Sequence, residues 1–248
     1  MKKSSLKNIF SILVLCSQAP TLQATIYEPA TVWDKNTVTV CFLDEQHQLG
    51  QTRFGTTDEE FKKNGFAPTF NSSEEKEIIK TTINNTFTKA TTGIHFNGWK
   101  NCSEEATADV LIMKAEKVKG FIFKKRPPFK GYASIGENGA VTSEGRFVKS
   151  YQSKPFVILY TFDPAIIVHE FGHLAGLRHE HVHPEAKKVD SSCYSALYSK
   201  ESTTEYSVVT EYDRASIMNY CRINNKYNKS SALSPKDRET LLKIYGNH

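Results

Sequence analysis

His169, Glu170, His173 and His179 fall within one short run, His169-Glu170-Phe171-Gly172-His173-Leu174-Ala175-Gly176-Leu177-Arg178-His179-Glu180-His181. Its first five residues read H-E-x-x-H. Histidines four apart project from one face of a helix, and the glutamate lies beside them. Gly176 can stop that helix, because glycine takes the left-handed conformation without steric cost. The chain can then turn back and bring His179 to the pair. Three neutral imidazoles around one open position make a catalytic zinc site; a structural site is closed by four protein ligands. The chemistry such a set supports is metal-assisted hydrolysis.

H-E-x-x-H alone is modest evidence. At about one in twenty per fixed position, a chain of 248 residues meets it by chance a few per cent of the time. Gly176 and His179 at their offsets lower that by roughly another 400-fold. A surface helix with scattered histidines is therefore a poor account of the run. His181 and His183 read as rim residues and His95 as a strand-surface residue, none of them a ligand.

A helix must carry the motif, and its start is legible. Asp163 is a good N-cap and Pro164 a good first helical residue. Ile166, Ile167 and Val168 then lead into His169, so the pattern predicts a buried helix stopping near Gly176. Residues 156–160 form a compact apolar run of the kind found inside a sheet. Further strands are expected at 37–43, 94–99 and 108–113, with a short edge strand at 131–136. Ser72 with Glu75 makes a capping box that opens a helix to about Ala90, with Ile79, Ile83, Phe87 and Ala90 on one face.

Residues 25–36 read as short and extended, leaving little room for a folded pro-segment, and 44–70 as a polar surface insertion. The basic stretch from Lys114 to Lys130, interleaved with Phe121, Phe123 and Phe129, reads as a solvated loop with packed aromatics. After His183-Pro184 the chain is expected to be irregular to about Glu211, then turn-like over 212–221. Ser234-Pro235-Lys236-Asp237 caps a last helix carrying Leu241, Leu242, Ile244 and Tyr245.

Residues 1–24 have the form of a secretory signal peptide. Lys2, Lys3 and Lys7 precede a short apolar core, and Leu22-Gln23-Ala24 is a cleavage site. The core is too short to span a bilayer, so the mature chain, 25–248, is expected to be secreted or periplasmic. Those lysines are three of the 32 basic residues; without them 29 stand against 27 acidic residues, a balance that gives no case for nucleic acid binding. Export also suits the cysteines. Cys41, Cys102, Cys193 and Cys221 remain after cleavage and allow three connectivities. Cys41–Cys102 and Cys193–Cys221 are favoured, since each joins neighbouring elements of one lobe.

The extended run, His169-Glu170-x-x-His173-x-x-Gly176-x-x-His179-Glu180, resembles the metzincin zinc motif. A glutamate directly after the third histidine resembles the astacin branch. Tyr212-Asp213 followed by Ser216-Ile217-Met218-Asn219-Tyr220 is similar to that branch's Met-turn region, with Asn219 where astacins usually carry His. Leu233-Ser234-Pro235-x-Asp237 before a terminal helix resembles secreted bacterial metzincins.

The resemblance implies an α+β zincin fold: a mixed twisted sheet, an active-site helix, a backing helix, and a mostly irregular C-terminal lobe ending in a helix. The upper lobe would span about 25–176 and the lower about 177–248. It implies one zinc ion (Zn2+) on His169, His173 and His179, with Glu170 as general base toward a zinc-bound water. Tyr220 is implied as an additional resting ligand that swings to stabilise the tetrahedral intermediate, and Met218 as the turn beneath the metal. In astacins the glutamate after the third histidine meets a buried mature N-terminus; with so little chain before the first strand here, Glu180 is expected to hold a different partner. Tyr132, Ala133, Ser134 and Ile135 would bind substrate backbone by strand addition. The function implied is a secreted, monomeric zinc endopeptidase acting on protein or peptide substrates. The alternative class is a non-catalytic zinc-binding secreted protein, such as a toxin subunit or adhesin, which would not need Glu170.

Overall fold

The computed structural model describes residues 26–27, 29–46, 66–117, 131–133, 141–143, 146–148, 154–191, 207–219 and 231–246. The signal-peptide segment, Cys193, Tyr220, Cys221, Ser134, Ile135 and most of the basic stretch lie outside them.

In chain order the elements are β1 (Ile26–Tyr27), β2 (Thr37–Phe42), β3 (Phe66–Thr69), α1 (Ser73–Thr86), α2 (Lys89–Thr92), β4 (His95–Asn101), β5 (Val110–Lys117) and β6 (Gly131–Ala133). There follow β7 (Val141–Ser143), β8 (Arg146–Val148), β9 (Phe156–Leu159), α3 (Pro164–Leu174), α4 (Ala186–Val189), β10 (Ser207–Val208) and α5 (Pro235–Tyr245). A mixed sheet runs β4-β2-β5-β9-β6, and β3 pairs with β5 off that path. β4, β2, β5 and β9 are mutually parallel, whereas β3 and β6 are antiparallel to their neighbours. This is the α+β mixed sheet with an active-site helix, a second long helix and a C-terminal helix that the resemblance implied.

The period-two pattern of the strands divides the core. Val38, Val40, Phe42, Val110, Ile112, Val157 and Leu159 face the helices and share one cluster with Ile79, Ile83, Phe171 and Leu174. Cys41, Leu43, Leu111, Met113, Phe156 and Ile158 form a second cluster from the alternate positions. β9 is buried along its whole length, as its unbroken apolar run requires.

Local signals place the helices well. Ser72 caps α1 with the reciprocal Glu75 contact, and Asp163 Oδ1 accepts from Ala165 N at the start of α3. Ser234 and Asp237 cap α5 in the same reciprocal way. Glu75 also holds Lys114 of β5 at 2.7 Å. Burial raises the Glu75 carboxyl, but its bonds with Lys114 and Ser72 outweigh that and leave it below its ordinary value.

Several expectations need correction. The helix from Ser72 does not reach Ala90: α1 ends at Thr86 and Phe87 N donates to Ile83 O, after which α2 starts afresh and stops at left-handed Gly93. Period-based reading misses such a break because Phe87 stays in phase with Ile83 and is buried. The 44–70 insertion contains strand β3, paired antiparallel with the second half of β5; its few residues carry no alternating apolar signal. The irregular stretch after Pro184 contains α4 and β10, the latter pairing with β1 at the other end of the described chain.

The Cys41–Cys102 disulfide forms as favoured, closing a separation of 61 residues between β2 and the end of β4. Replacing both by Ala is expected to cost about 2–4 kcal/mol, chiefly by freeing that loop in the unfolded chain. A urea midpoint unchanged from that of the parent would contradict this.

Candidate active site

α3 is buried along almost its whole length and carries the motif. Phe171 points toward the sheet, edge-on to Phe96 at 5.0 Å and stacked on Trp99 at 6.1 Å. Trp99 reaches that place through a bulge in the β2–β4 pairing, where Val40 faces Gly98 and Cys41 faces Lys100. Gly98 is needed there, because a Cβ would lie 2.5 Å from Val40 O. The aromatic floor therefore sets the roll of α3, and with it the direction of His169 and His173.

The C-terminal carbonyls of α3 are claimed by distant side chains. Trp33 Nε1 donates to Leu174 O at 2.6 Å, and Tyr245 Oη donates to Ala175 O at 3.1 Å. Gly176 follows at φ 87°, as the stop signal required. Leu177 then bridges to Tyr27 and Arg178 N donates to Ile26 O. Pairing with β1 thus directs the returning chain that delivers His179.

The three histidines converge. Their ligand atoms all lie within 4.8 Å of one another, and His173 Nε2 is 2.9 Å from His179 Nε2. His169 Nδ1 contacts Ile217 O at 2.9 Å and His173 Nδ1 contacts Leu177 O at 2.8 Å. A carbonyl can only accept, so both Nδ1 atoms carry the proton and both Nε2 atoms present lone pairs to the centre. Zinc–nitrogen bonds of 2.0–2.1 Å in tetrahedral geometry require nitrogens about 3.4 Å apart. The observed spacing brackets that value, and the donor set fits zinc.

Glu170 is 5% exposed, beside His169 on α3. Burial raises its carboxyl to about 8. The side chain is thus kept dry beside the histidines.

Met218 packs its sulfur against Gly172 of α3, the residue before His173; a Cβ on Gly172 would sit 2.6 Å from Met218 Sδ. The turn carrying Met218 is tied from both sides. Met218 O accepts from Glu180 N, and Glu180 Oε1 accepts from Asp213 N at 2.6 Å. Glu180 is fully buried, and burial, with Asp237 and Asp213 nearby, pushes its carboxyl well above its ordinary value despite that bond. Asn219 Nδ2 donates to Tyr212 Oη at 3.0 Å, giving this position a structural partner.

Asp237 is the functional residue that motif reading passed over. Its carboxylate accepts from Ser216 Oγ at 2.6 Å, Ile217 N at 2.9 Å and Ser234 N at 2.9 Å, and Ser216 Oγ in turn accepts from Met218 N. Ile217 is the residue whose carbonyl orients His169. A helix cap thus doubles as the anchor of the turn under the metal ligands. The sequence shows the cap, but the second set of partners, on residues 216 and 217, is remote.

His181 and His183 are not rim residues. Both are 1% exposed. The His181 ring stacks on His179 at 5.2 Å, while His183 accepts from Glu185 N and is pushed down to about 4 by burial, so it stays neutral. His95 is half-buried on β4, near Thr37. Tyr132 and Ala133 lie on β6, antiparallel to β9 at the end of the sheet path.

Residues 160–247 match the Astacin peptidase family. The structure of myroilysin is similar over 89% of this chain and 98% of its own, at 18% identity and a TM-score of 0.50. High choriolytic enzyme 1, a hatching enzyme zinc-protease from the medaka fish Oryzias latipes, aligns over 89% of this chain and 96% of its own, at 15% identity and a TM-score of 0.46. No curated protein matches the chain.

Proposed function

We propose that the mature chain, 25–248, whose residues 160–247 match the Astacin peptidase family, is a secreted zinc endopeptidase whose general base is Glu170. The observation that carries this reading is the meeting of three histidine ligand nitrogens on and just after the helix that carries a buried carboxyl, Glu170. A non-catalytic zinc holder has no use for that carboxyl, and keeping it dry costs stability.

Zinc bound by His169, His173 and His179 would supply Lewis-acid polarisation of the scissile carbonyl and acidification of a water. Glu170 takes the water proton and returns it to the leaving amine. His169 and His173 are held in the metal-binding tautomer by Ile217 O and Leu177 O. Tyr220, directly after Asn219, is assigned to hydrogen-bond the developing oxyanion. The backbone of Tyr132 and Ala133, continued by Ser134 and Ile135, is assigned to align an extended peptide by strand addition. Among the described residues no helix is long and apolar enough to cross a membrane.

Digestion of a proteome-derived peptide library tests the reading. Cleavage at internal bonds, abolished by a chelator and restored by zinc, is the expected result. An intact library in the presence of zinc would instead favour the non-catalytic zinc-binding class.

A further inference from the structure

Gly131, the first residue of β6, stands opposite Leu159 of β9 and lies directly against Glu170. A Cβ built on Gly131 would meet Glu170 Oε1 at 2.6 Å, Cγ at 2.8 Å and Cδ at 2.9 Å. All three contacts are to the one carboxylate arm, and all are shorter than the roughly 3.5–4.0 Å of ordinary carbon contacts. The Gly131 backbone is not in the left-handed region, so its conformation does not demand glycine. The three nearest atoms that an added side chain would meet all belong to the glutamate. The arm is nearly buried, so an added methyl must push it along α3 or force β6 away from β9.

We propose that Gly131 is a positioning residue: its missing side chain is the slot that holds the Glu170 arm in the rotamer from which the carboxylate reaches the reacting water. The proposal rests on Glu170 being the base. It also gives the edge strand a second role besides aligning substrate, since one strand then presents peptide and base to each other at a set depth.

The test is Gly131→Ala in the full mature chain with zinc bound. Turnover of a peptide drawn from the library should fall about 10- to 100-fold, with KM changed less than threefold and one zinc retained per chain. An unchanged kcat would overturn the proposal, and so would a loss carried wholly by KM or by zinc. Glu170→Gln separates the two readings: an inactive Gln variant beside a fully active Gly131→Ala variant leaves the base in place and removes the positioning role. Should Gly131→Ala fold poorly, a double-mutant cycle in thermal stability decides the matter. The Ala substitution should lower Tm in the parent but be nearly neutral in a Glu170→Ala background, where the arm is gone. An equal loss in both backgrounds would overturn the contact.

Discussion

Glu170→Gln should lower kcat by about 100- to 10,000-fold while the protein keeps its zinc. Gln has the shape of Glu, so it fills the slot against Gly131 without leaving a cavity. It cannot take up a proton as a carboxylate does. The ligands are untouched, because His169 and His173 are oriented by Ile217 O and Leu177 O, which do not involve residue 170. Zinc content by atomic absorption and kcat on a library-derived peptide together read the outcome. Turnover within twofold of the parent would remove Glu170 from the mechanism. Loss of zinc with activity would mean that the carboxyl serves metal binding and not proton transfer.

The second large effect lies away from the reacting atoms. Asp237→Asn should destabilise the protein by about 3 kcal/mol, because Ser216 Oγ–H, Ile217 N–H and Ser234 N–H all donate to the one carboxylate. Asn offers one acceptor oxygen and turns an NH2 group toward at least one of those donors. For a chain of this size the loss amounts to about 6–12 °C in Tm. The same change should weaken zinc about 10- to 100-fold, since Ile217 is the carbonyl partner of His169 and loses its own anchor. Competition with a chelator measures that affinity. A variant with parental Tm and zinc affinity would show that the turn carrying Met218 holds without Asp237.

Much of this arrangement was legible beforehand. Ser72 with Glu75, Asp163 with Pro164, and Ser234 with Asp237 each opened a helix where the caps implied, because capping is settled within four residues. His169 and His173 faced one centre because the helical period alone puts them there. His179 joined them because Gly176 ends the helix with a left-handed residue. The break of the first helix at Phe87, the strand Phe66–Thr69 and the pairing of Ile26–Tyr27 with Ser207–Val208 were not legible. Short elements gain their order from partners far along the chain and carry too few residues for a periodic signal. His181 and His183 misled for a related reason. Their type suggested a polar rim, yet the turn after His179 folds inward and buries both.

Sequence by itself determined the identity and spacing of the three histidines, the carboxyl beside them and the caps that start their helix. These follow from local geometry and residue chemistry, which need no knowledge of the fold. Tertiary structure decided what holds the site to catalytic tolerance. Trp33 and Tyr245 cap the α3 carbonyls, Asp237 anchors the turn beneath His169, Gly172 admits Met218, and Gly131 admits Glu170. Each of these contacts joins residues tens of positions apart. Its worth depends on distances that arise only when the sheet, the buried helix and the C-terminal helix close on one core.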